Sequence, residues 1–326
     1  MALPNHRTIH ASSTPKLGGL SIYLAFMIAL AVYLSFGNSL HTLWGLILGG
    51  SAVLLVGLFD DVRGLSCYRK LLGQVLAALL AVYFGFSIET IGLPNGSVLH
   101  LGLWAYPVSI LWIVSITNAV NLLDGLDGLA TGFAIIVSSF LGMAALVTQN
   151  FTAALASFVL LGAVLGFFRY NFPYAKIFLG DMGSLFLGFV LACLSLKVFT
   201  WSGSSVNVMS LLCLFMIPFA DTGISVVRRI SNGRHPFWAD RKHIHHRLID
   251  SGKSPRTAVL IIFAGSFLYG ITSLLFLVTT LQIALLFFIG LSLVFVIALV
   301  QLNCFDFFFN NAMFRKLRYS TTPEER

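Results

Sequence analysis

The chain has 326 residues, of which 58% are hydrophobic and only 10% charged, against about 25% charged in a soluble globular domain. No soluble fold of this size hides that much apolar surface, so lipid is the solvent. With no linker, no internal repeat and no large polar block, residues 1–326 read as one membrane domain. The net charge of +8 does not indicate nucleic acid, because the basic residues sit beside apolar spans, where Lys and Arg orient helices and meet anionic lipid.

The chain opens on polar Pro4-Asn5-His6-Arg7, which has no signal-peptide pattern. Segments near 19–36, 42–59, 70–86, 105–122, 129–148, 151–168, 184–200, 206–226, 257–279 and 281–303 each approach the roughly 20 apolar residues that cross a bilayer. Turns at Gly37-Asn38 and Gln149-Asn150 read as tight reversals between antiparallel helices. The expected fold class is therefore all-α, a polytopic transmembrane bundle of ten spans. Cys67, Cys193, Cys213 and Cys304 form no CxxC pair and read as apolar filler or reduced thiols.

With the N-terminus cytoplasmic, only Lys197 of the 20 Lys and Arg falls on the far side. The C-terminal Arg315, Lys316, Arg318 and Arg326 join the cytoplasmic set. This asymmetry sets the orientation and supports an even span count. Of 12 Asp and Glu, only Glu89 lies on the far side. Acidic residues contribute little to orientation, so their gathering at cytoplasmic helix ends points to chemistry in a cytoplasmic cleft.

Asp60-Asp61 closes the second span. Adjacent carboxylates at a membrane boundary either hold a divalent cation or share a proton so that one acts as a base. Lys70 starts the next span, within reach of a phosphate. Asn118, Asn121, Asp124 and Asp127 recur every three residues and make one polar stripe at helical spacing, which must face the bundle interior or a water-filled cleft. Gly125 and Gly128 let the backbone turn or approach a ligand. Asp181, in Gly180-Asp181-Met182-Gly183-Ser184, sits where the seventh span begins. The long polar segment 228–256 carries Arg228, Arg229, Arg234, His235, Asp240, Arg241, Lys242, His243, His245, His246 and Arg247. It lacks cysteine and is too basic for zinc, and it suits anionic pyrophosphate. Carboxylates and amides for a hard cation, with cationic side chains for phosphates, suggest a phosphate reaction between a soluble donor and a lipid acceptor.

Five motifs, in this order and over nearly the whole chain, resemble the polyprenyl-phosphate N-acetylhexosamine-1-phosphate transferases. They are Thr14-Pro15-Lys16-Leu17-Gly18-Gly19, Asp60-Asp61 with Lys70, the segment from Asn118 to Gly128, Gly180 to Ser184, and His243-Ile244-His245-His246. The resemblance implies Asn121 and Asp181 as ligands of Mg²⁺ or Mn²⁺, Phe178 stacked on uracil and Asp127 bonded to its edge, and Lys70 on a phosphate. It implies Asp60 or Asp61 as the base that deprotonates the lipid phosphate, with Asp124 a further candidate catalytic carboxylate. Arg229, His243, His245 and His246 fall in the family's donor-recognition segment, 228–256. The pentapeptide-donor branch carries three consecutive histidines there, so His-Ile-His-His implies UDP-GlcNAc as donor and undecaprenyl phosphate as acceptor. UMP is then released and a teichoic acid, O-antigen or related glycan is started. The same chemistry with another UDP-HexNAc or with UDP-MurNAc-pentapeptide is the alternative. The implied location is the bacterial cytoplasmic membrane, with the lipid bilayer as a partner and a homodimer compatible with it. The family also implies one more helix before Pro4 than this chain holds. A secondary transporter is the alternative of another class, but transporters place ionisable groups near the midplane rather than at one rim.

The charge asymmetry predicts that Ser231→Cys and Ser320→Cys label only from the cytoplasm and Asn95→Cys only from outside. Labelling of positions 95 and 231 from one side would refute the ten-span topology.

Overall fold

A computed structural model describes residues 15–36, 41–92, 97–200, 207–235 and 242–305. Arg7, Thr14, the Gly37-Asn38 turn, Asp240, Arg241 and the C-terminal basic residues named above lie outside the described residues. The chain forms α1 (Gly18–Ser35), α2 (His41–Arg63) and α3 (Cys67–Tyr83), then a hairpin of β1 (Thr90–Gly92) and β2 (Val98–His100). There follow α4 (Ala105–Leu123), α5 (Leu129–Val147), α6 (Phe151–Asn171), α7 (Gly180–Thr200), α8 (Val208–Leu214), α9 (Met216–Ser231), α10 (Ile244–Asp250), α11 (Pro255–Val278) and α12 (Leu281–Gln301). The strands pair antiparallel with Ile91 opposite Leu99, a small addition to an otherwise all-α bundle.

Among the described residues, eight helices are long and apolar enough to cross a membrane, and α8 with α9, bent by 78°, would add a ninth if the pair crosses as one broken span. The 17 residues of α3 occupy the place of the tenth. Large apolar side chains on the outer faces stay exposed, among them Leu286 and Val294 on α12, as they do where lipid replaces water.

Local sequence explains the boundaries. Asn150 caps α6 by accepting from the Ala153 amide at 3.1 Å. Ser254 caps α11 through the Thr257 amide at 3.2 Å, with Pro255 at the first helical position. Two boundaries differ from the expected spans. Helix α2 continues through Asp60 and Asp61 to Arg63, where those carboxylates bond to Lys70, the Leu65 amide, Lys16 and the Met182 amide. The polar stripe does not stay helical: α4 ends at Leu123, and Asp124 and Asp127 lie in the turn before α5. Gly125 donates to Leu123 O at 2.8 Å in a tight turn, and Gly128 adopts φ +76, which favours glycine.

The core is α7, whose residues Leu185, Phe186, Leu187, Phe189, Val190, Leu191, Ala192 and Cys193 are fully buried. Small residues let its neighbours approach closely, as in other membrane bundles. A Cβ on Gly19 of α1 would run into the backbone of Gly183, one on Gly57 of α2 into that of Met182, and Gly188 meets the backbone of Thr117 on α4. The segment before α1 joins the start of α7 through backbone bonds. Phe178 N donates to Pro15 O at 2.9 Å, and Gly18 N and Gly19 N to Phe178 O and Leu179 O at 3.0 Å.

Antiparallel helices joined by short turns alternate direction. The starts of α1, α3, α5, α7 and α11 and the ends of α2, α4, α6 and α9 therefore share one end of the bundle. All the residues assigned to chemistry occupy that end.

Gly19→Ala is expected to lower the thermal unfolding midpoint of the detergent-solubilised protein, since overpacking against an unyielding backbone costs about 1–3 kcal/mol. Gly162→Ala, on the exposed face of α6 with open space around it, is expected not to lower the midpoint, since alanine is the better helix former by about 1 kcal/mol. Equal midpoints for both variants would contradict the close packing of α1 on α7.

Candidate active site

At that end a cavity of about 510 Å³ is lined by Lys16, Asp61, Asp124, Gly125, Asp127, Asn171, Phe172, Tyr174, Phe178, Asp181, Ser254 and Arg256 among others. This volume lies within the roughly 300–1,000 Å³ of small-molecule sites. The first turn of α7 forms its floor. Asp181 Oδ1 accepts from Asn121 Nδ2 at 2.6 Å and pairs with Lys70 Nζ at 3.2 Å. Asn121 Nδ2 also lies 2.8 Å from Ser184 Oγ.

The adjacent carboxylates of α2 diverge. Asp60 faces α3, accepting from Lys70 Nζ at 2.7 Å and from the Leu65 amide at 2.7 Å. Asp61 faces the cavity, accepting from Lys16 Nζ at 3.2 Å and from the Met182 amide at 3.1 Å. Successive helical residues point about 100° apart, so one neighbour braces α3 while the other lines the cavity. Lys70 spans Asp60 and Asp181 and joins α2, α3 and α7. One turn along, Gln74 of α3 and Asn118 of α4 exchange amide hydrogen bonds, and these set α3 against α4. Asn118 serves the bundle rather than the cavity.

Asp127 Oδ2 accepts from the Ala175 amide at 2.9 Å, fixing the segment that presents Tyr174 and Phe178 to the same cavity. Asp124 is half-buried. Its burial, with Asp181, Asp61 and Asp127 around it, pushes its carboxyl up to about 8.

Arg229 and the three histidines do not line the cavity. Arg229, on α9, is buried. His243 precedes α10, and His245 and His246 lie on it. His245 is 2% exposed and sits directly behind Gly125, where any Cβ would strike its Nε2. Burial, with His246 and His243 beside it, pulls His245 down to about 4, so its ring is neutral near pH 7. The histidines thus form a layer behind the cavity wall, touching it through a glycine.

Several residues had no individual role in the sequence reading. Lys16 was visible only as part of a motif. Asn171, Tyr174 and Arg256 are brought in by helix ends far apart in sequence, with no pattern to mark them. Asp221, buried in α9 beside His243, did leave a signal: an acid within an apolar span.

The donor set is suited to a hard cation. Asp181 and the Asn121 amide lie together, and the Lys70 ammonium already sits between Asp60 and Asp181. Among the described residues no group of three His, Cys, Asp or Glu side chains could close around a metal. A cation here would therefore take its remaining oxygens from a bound diphosphate, as Mg²⁺ commonly does.

Residues 43–199 match the family model described as glycosyl transferase family 4. A probable undecaprenyl-phosphate N-acetylglucosaminyl 1-phosphate transferase of Bacillus subtilis is 35% identical over 284 residues, 86% of this chain and 78% of that one. A decaprenyl-phosphate N-acetylglucosaminephosphotransferase of Mycolicibacterium smegmatis is 33% identical, covering 85% of this chain and 75% of the relative. A phospho-N-acetylmuramoyl-pentapeptide-transferase of Lactiplantibacillus plantarum is 32% identical, covering 73% and 76%.

The position of Asp124 has a measurable consequence in metal-free protein. The unfolded carboxyl ionises near 3.8 and the folded one near 8, so between these values unfolding releases a proton. The stability contributed by neutral Asp124 is complete below pH 3.8 and lost as pH rises through 8. Asp124→Asn, which mimics the neutral acid, is expected to match the parent in thermal midpoint near pH 4 and to exceed it increasingly toward pH 8. A gap that does not change with pH would show that Asp124 is already ionised in the fold.

Proposed function

Since this chain belongs to glycosyl transferase family 4 and, within it, to the polyprenyl-phosphate N-acetylhexosamine-1-phosphate transferases, we propose that it transfers N-acetylglucosamine 1-phosphate from UDP-GlcNAc to undecaprenyl phosphate. The reaction takes place at the cytoplasmic face and releases UMP, and its lipid product starts a wall or surface glycan such as teichoic acid or O-antigen. The observation that carries this reading is the cavity at one membrane end that combines Asp61, Asp124, Asp127 and Asp181 with Lys16, Arg256 and Phe178.

Phe178 supplies a flat apolar face for uracil, and Asp127 beside it accepts from the base edge. Lys16 and Arg256 stand on the cavity wall, and Lys70 beneath it, as cations for phosphate oxygens. Asp181 and Asn121 would hold Mg²⁺ or Mn²⁺, which when bound neutralises charge on the donor diphosphate. Asp61 is the member of the carboxylate pair that faces the cavity, and we assign it as the base that takes the proton of the lipid phosphate. The freed oxygen attacks the sugar-linked phosphorus, and the bond to UMP breaks. Asp60 holds Lys70 in place. The exposed apolar faces beside the site let the polyprenyl chain remain in the bilayer while its phosphate reaches the rim.

The interrupted histidine run, with isoleucine at 244, favours UDP-GlcNAc over UDP-MurNAc-pentapeptide. With undecaprenyl phosphate in one detergent, UMP release is expected from UDP-GlcNAc and very little from the pentapeptide donor. EDTA should abolish release reversibly. Asp181→Asn should lower it by about 100-fold or more while the protein purifies folded, since a metal-held phosphate supplies several kcal/mol. Preference for the pentapeptide donor would overturn the donor assignment, and a metal-independent rate would remove Asp181 and Asn121 from their role.

A further inference from the structure

Helix α9 carries a carboxylate where the membrane bundle gives it no obvious reason to be. Asp221 is 4% exposed and lies in the bent span formed by α8 and α9. A buried carboxylate is costly unless its oxygens are paired and hydrogen-bonded. Both oxygens of Asp221 are engaged by one short stretch of chain. Oδ2 lies 2.9 Å from His243 Nδ1, and Oδ1 accepts from the Ile244 amide at 2.7 Å.

The second bond caps α10, a task one neutral oxygen performs equally well. The first uses the remaining oxygen on an imidazole. A carboxylate at Nδ1 places the ring proton there and leaves Nε2 with its lone pair, and it fixes the plane of the ring. The other groups around His243 agree with this arrangement. Ser225 Oγ is 3.4 Å from Nδ1 and is itself occupied as acceptor by Arg228 Nη2 at 3.0 Å. The His245 ring lies parallel to that of His243, with centroids 5.8 Å apart and planes 3° apart. His245 in turn fills the space behind Gly125, next to Asp124 of the cavity wall. At the far end of α10, Arg247 Nη1 donates to the carbonyl of Leu302 at 3.3 Å, just past α12.

We propose that Asp221 is a positioning residue of the transfer site: it sets the Nδ1–H form of His243 and anchors α10, so that the histidine layer is held against the Gly125–Asp124 turn. The bent span and the donor-recognition segment are thereby one mechanical unit, and the transferred group meets a wall whose shape is set from behind. This assignment rests on the reading of the cavity as the transfer site, but its principal test does not require a particular donor.

The decisive variant is Asp221→Asn. An amide has one acceptor and one donor, so it keeps the cap on Ile244 with its oxygen and turns its NH₂ toward His243. That makes Nδ1 an acceptor and moves the ring proton to Nε2. Nitrogen-15 spectra of histidine-labelled protein in detergent at pH 8, with His243 assigned by its loss in His243→Gln, are expected to show a proton on Nδ1 in the parent and on Nε2 in Asp221→Asn. In the UMP-release assay Asp221→Asn is expected to lower kcat/KM by about 10–100-fold, the range for partners that orient a site's ligands. Added to His243→Ala, it should cause no further loss, because the two act through one contact. Asp221→Ala removes the cap as well and is expected to lower the unfolding midpoint, whereas Asp221→Asn is not. A parent ring protonated on Nε2, an unchanged tautomer in Asp221→Asn, or fully additive losses in the double variant would each overturn the proposal. Absence of UMP release from every donor by the parent protein would defeat the proposed function instead, leaving the tautomer result to decide the role of Asp221.

Discussion

Everything at the active end depends on how closely other backbones approach the first turns of α7. That helix is enclosed on all sides, and glycines at 19, 57 and 188 remove the side chains that would keep α1, α2 and α4 at ordinary distance. The helices meet without a hydrophobic driving force, since lipid tails are as apolar as leucine, so close packing and polar bonds between helices must supply the association. Close approach at Gly19 and Gly57 brings the ends of α1 and α2 onto the start of α7. Lys16, Asp61 and Asp181 consequently face one cavity although they are far apart in sequence. Any side chain that spread these helices would enlarge the cavity and separate its charges together.

The same region concentrates acidic groups, and the fold handles them by division of labour. Asp60 is committed to Lys70 and the Leu65 amide, and Asp61 to Lys16 and the Met182 amide. Asp127 is committed to the Ala175 amide, and Asp181 to Lys70 and Asn121. Among the described residues Asp124 has no such bond, and burial with like charge outweighs Lys16 and displaces its carboxyl to about 8. Two lysines therefore serve at once as counter-ions that allow carboxylates to gather and as the cations an incoming phosphate would meet. On the proposed function, a diphosphate entering this cavity would exchange partners with charges already in place, which would keep the reorganisation small.

Behind this layer stands a second one built from the end of α9 and from α10 with the histidine before it. The histidines contribute support from the rear: His245 presses on Gly125, and His243 is tied to Asp221. A segment that reads as a basic surface loop is therefore partly interior, with His243, His245, Arg228 and Arg229 all buried. Changes there will alter the shape of the cavity wall as much as its charge.

The bilayer class and the approximate positions of the spans were legible in the sequence, because apolar length is a local quantity and lipid leaves few alternatives. Asp60, Asp61, Lys70, Asn121, Asp124, Asp127 and Asp181 were visible as candidates, since ionisable and polar groups beside apolar runs stand out in a chain that is only 10% charged, whereas Phe178 was marked only by the family resemblance. Three features were not legible. Equal spacing from Asn118 to Asp127 suggests one helical face, but Gly125 and Gly128 end that helix, and only packing against His245 and Phe172 shows why glycine is required. Two adjacent aspartates look equivalent, but helical rotation sends one to α3 and the other to the cavity. Asp221, an acid within an apolar span, carries no motif that marks it, and its two partners at residues 243–244 return to it only in the fold. Periodicity and composition determine which residues are polar and where they sit along the membrane normal. Which of them meet across helices is decided by side-chain direction and interhelical distance, and these exist only once the bundle is closed.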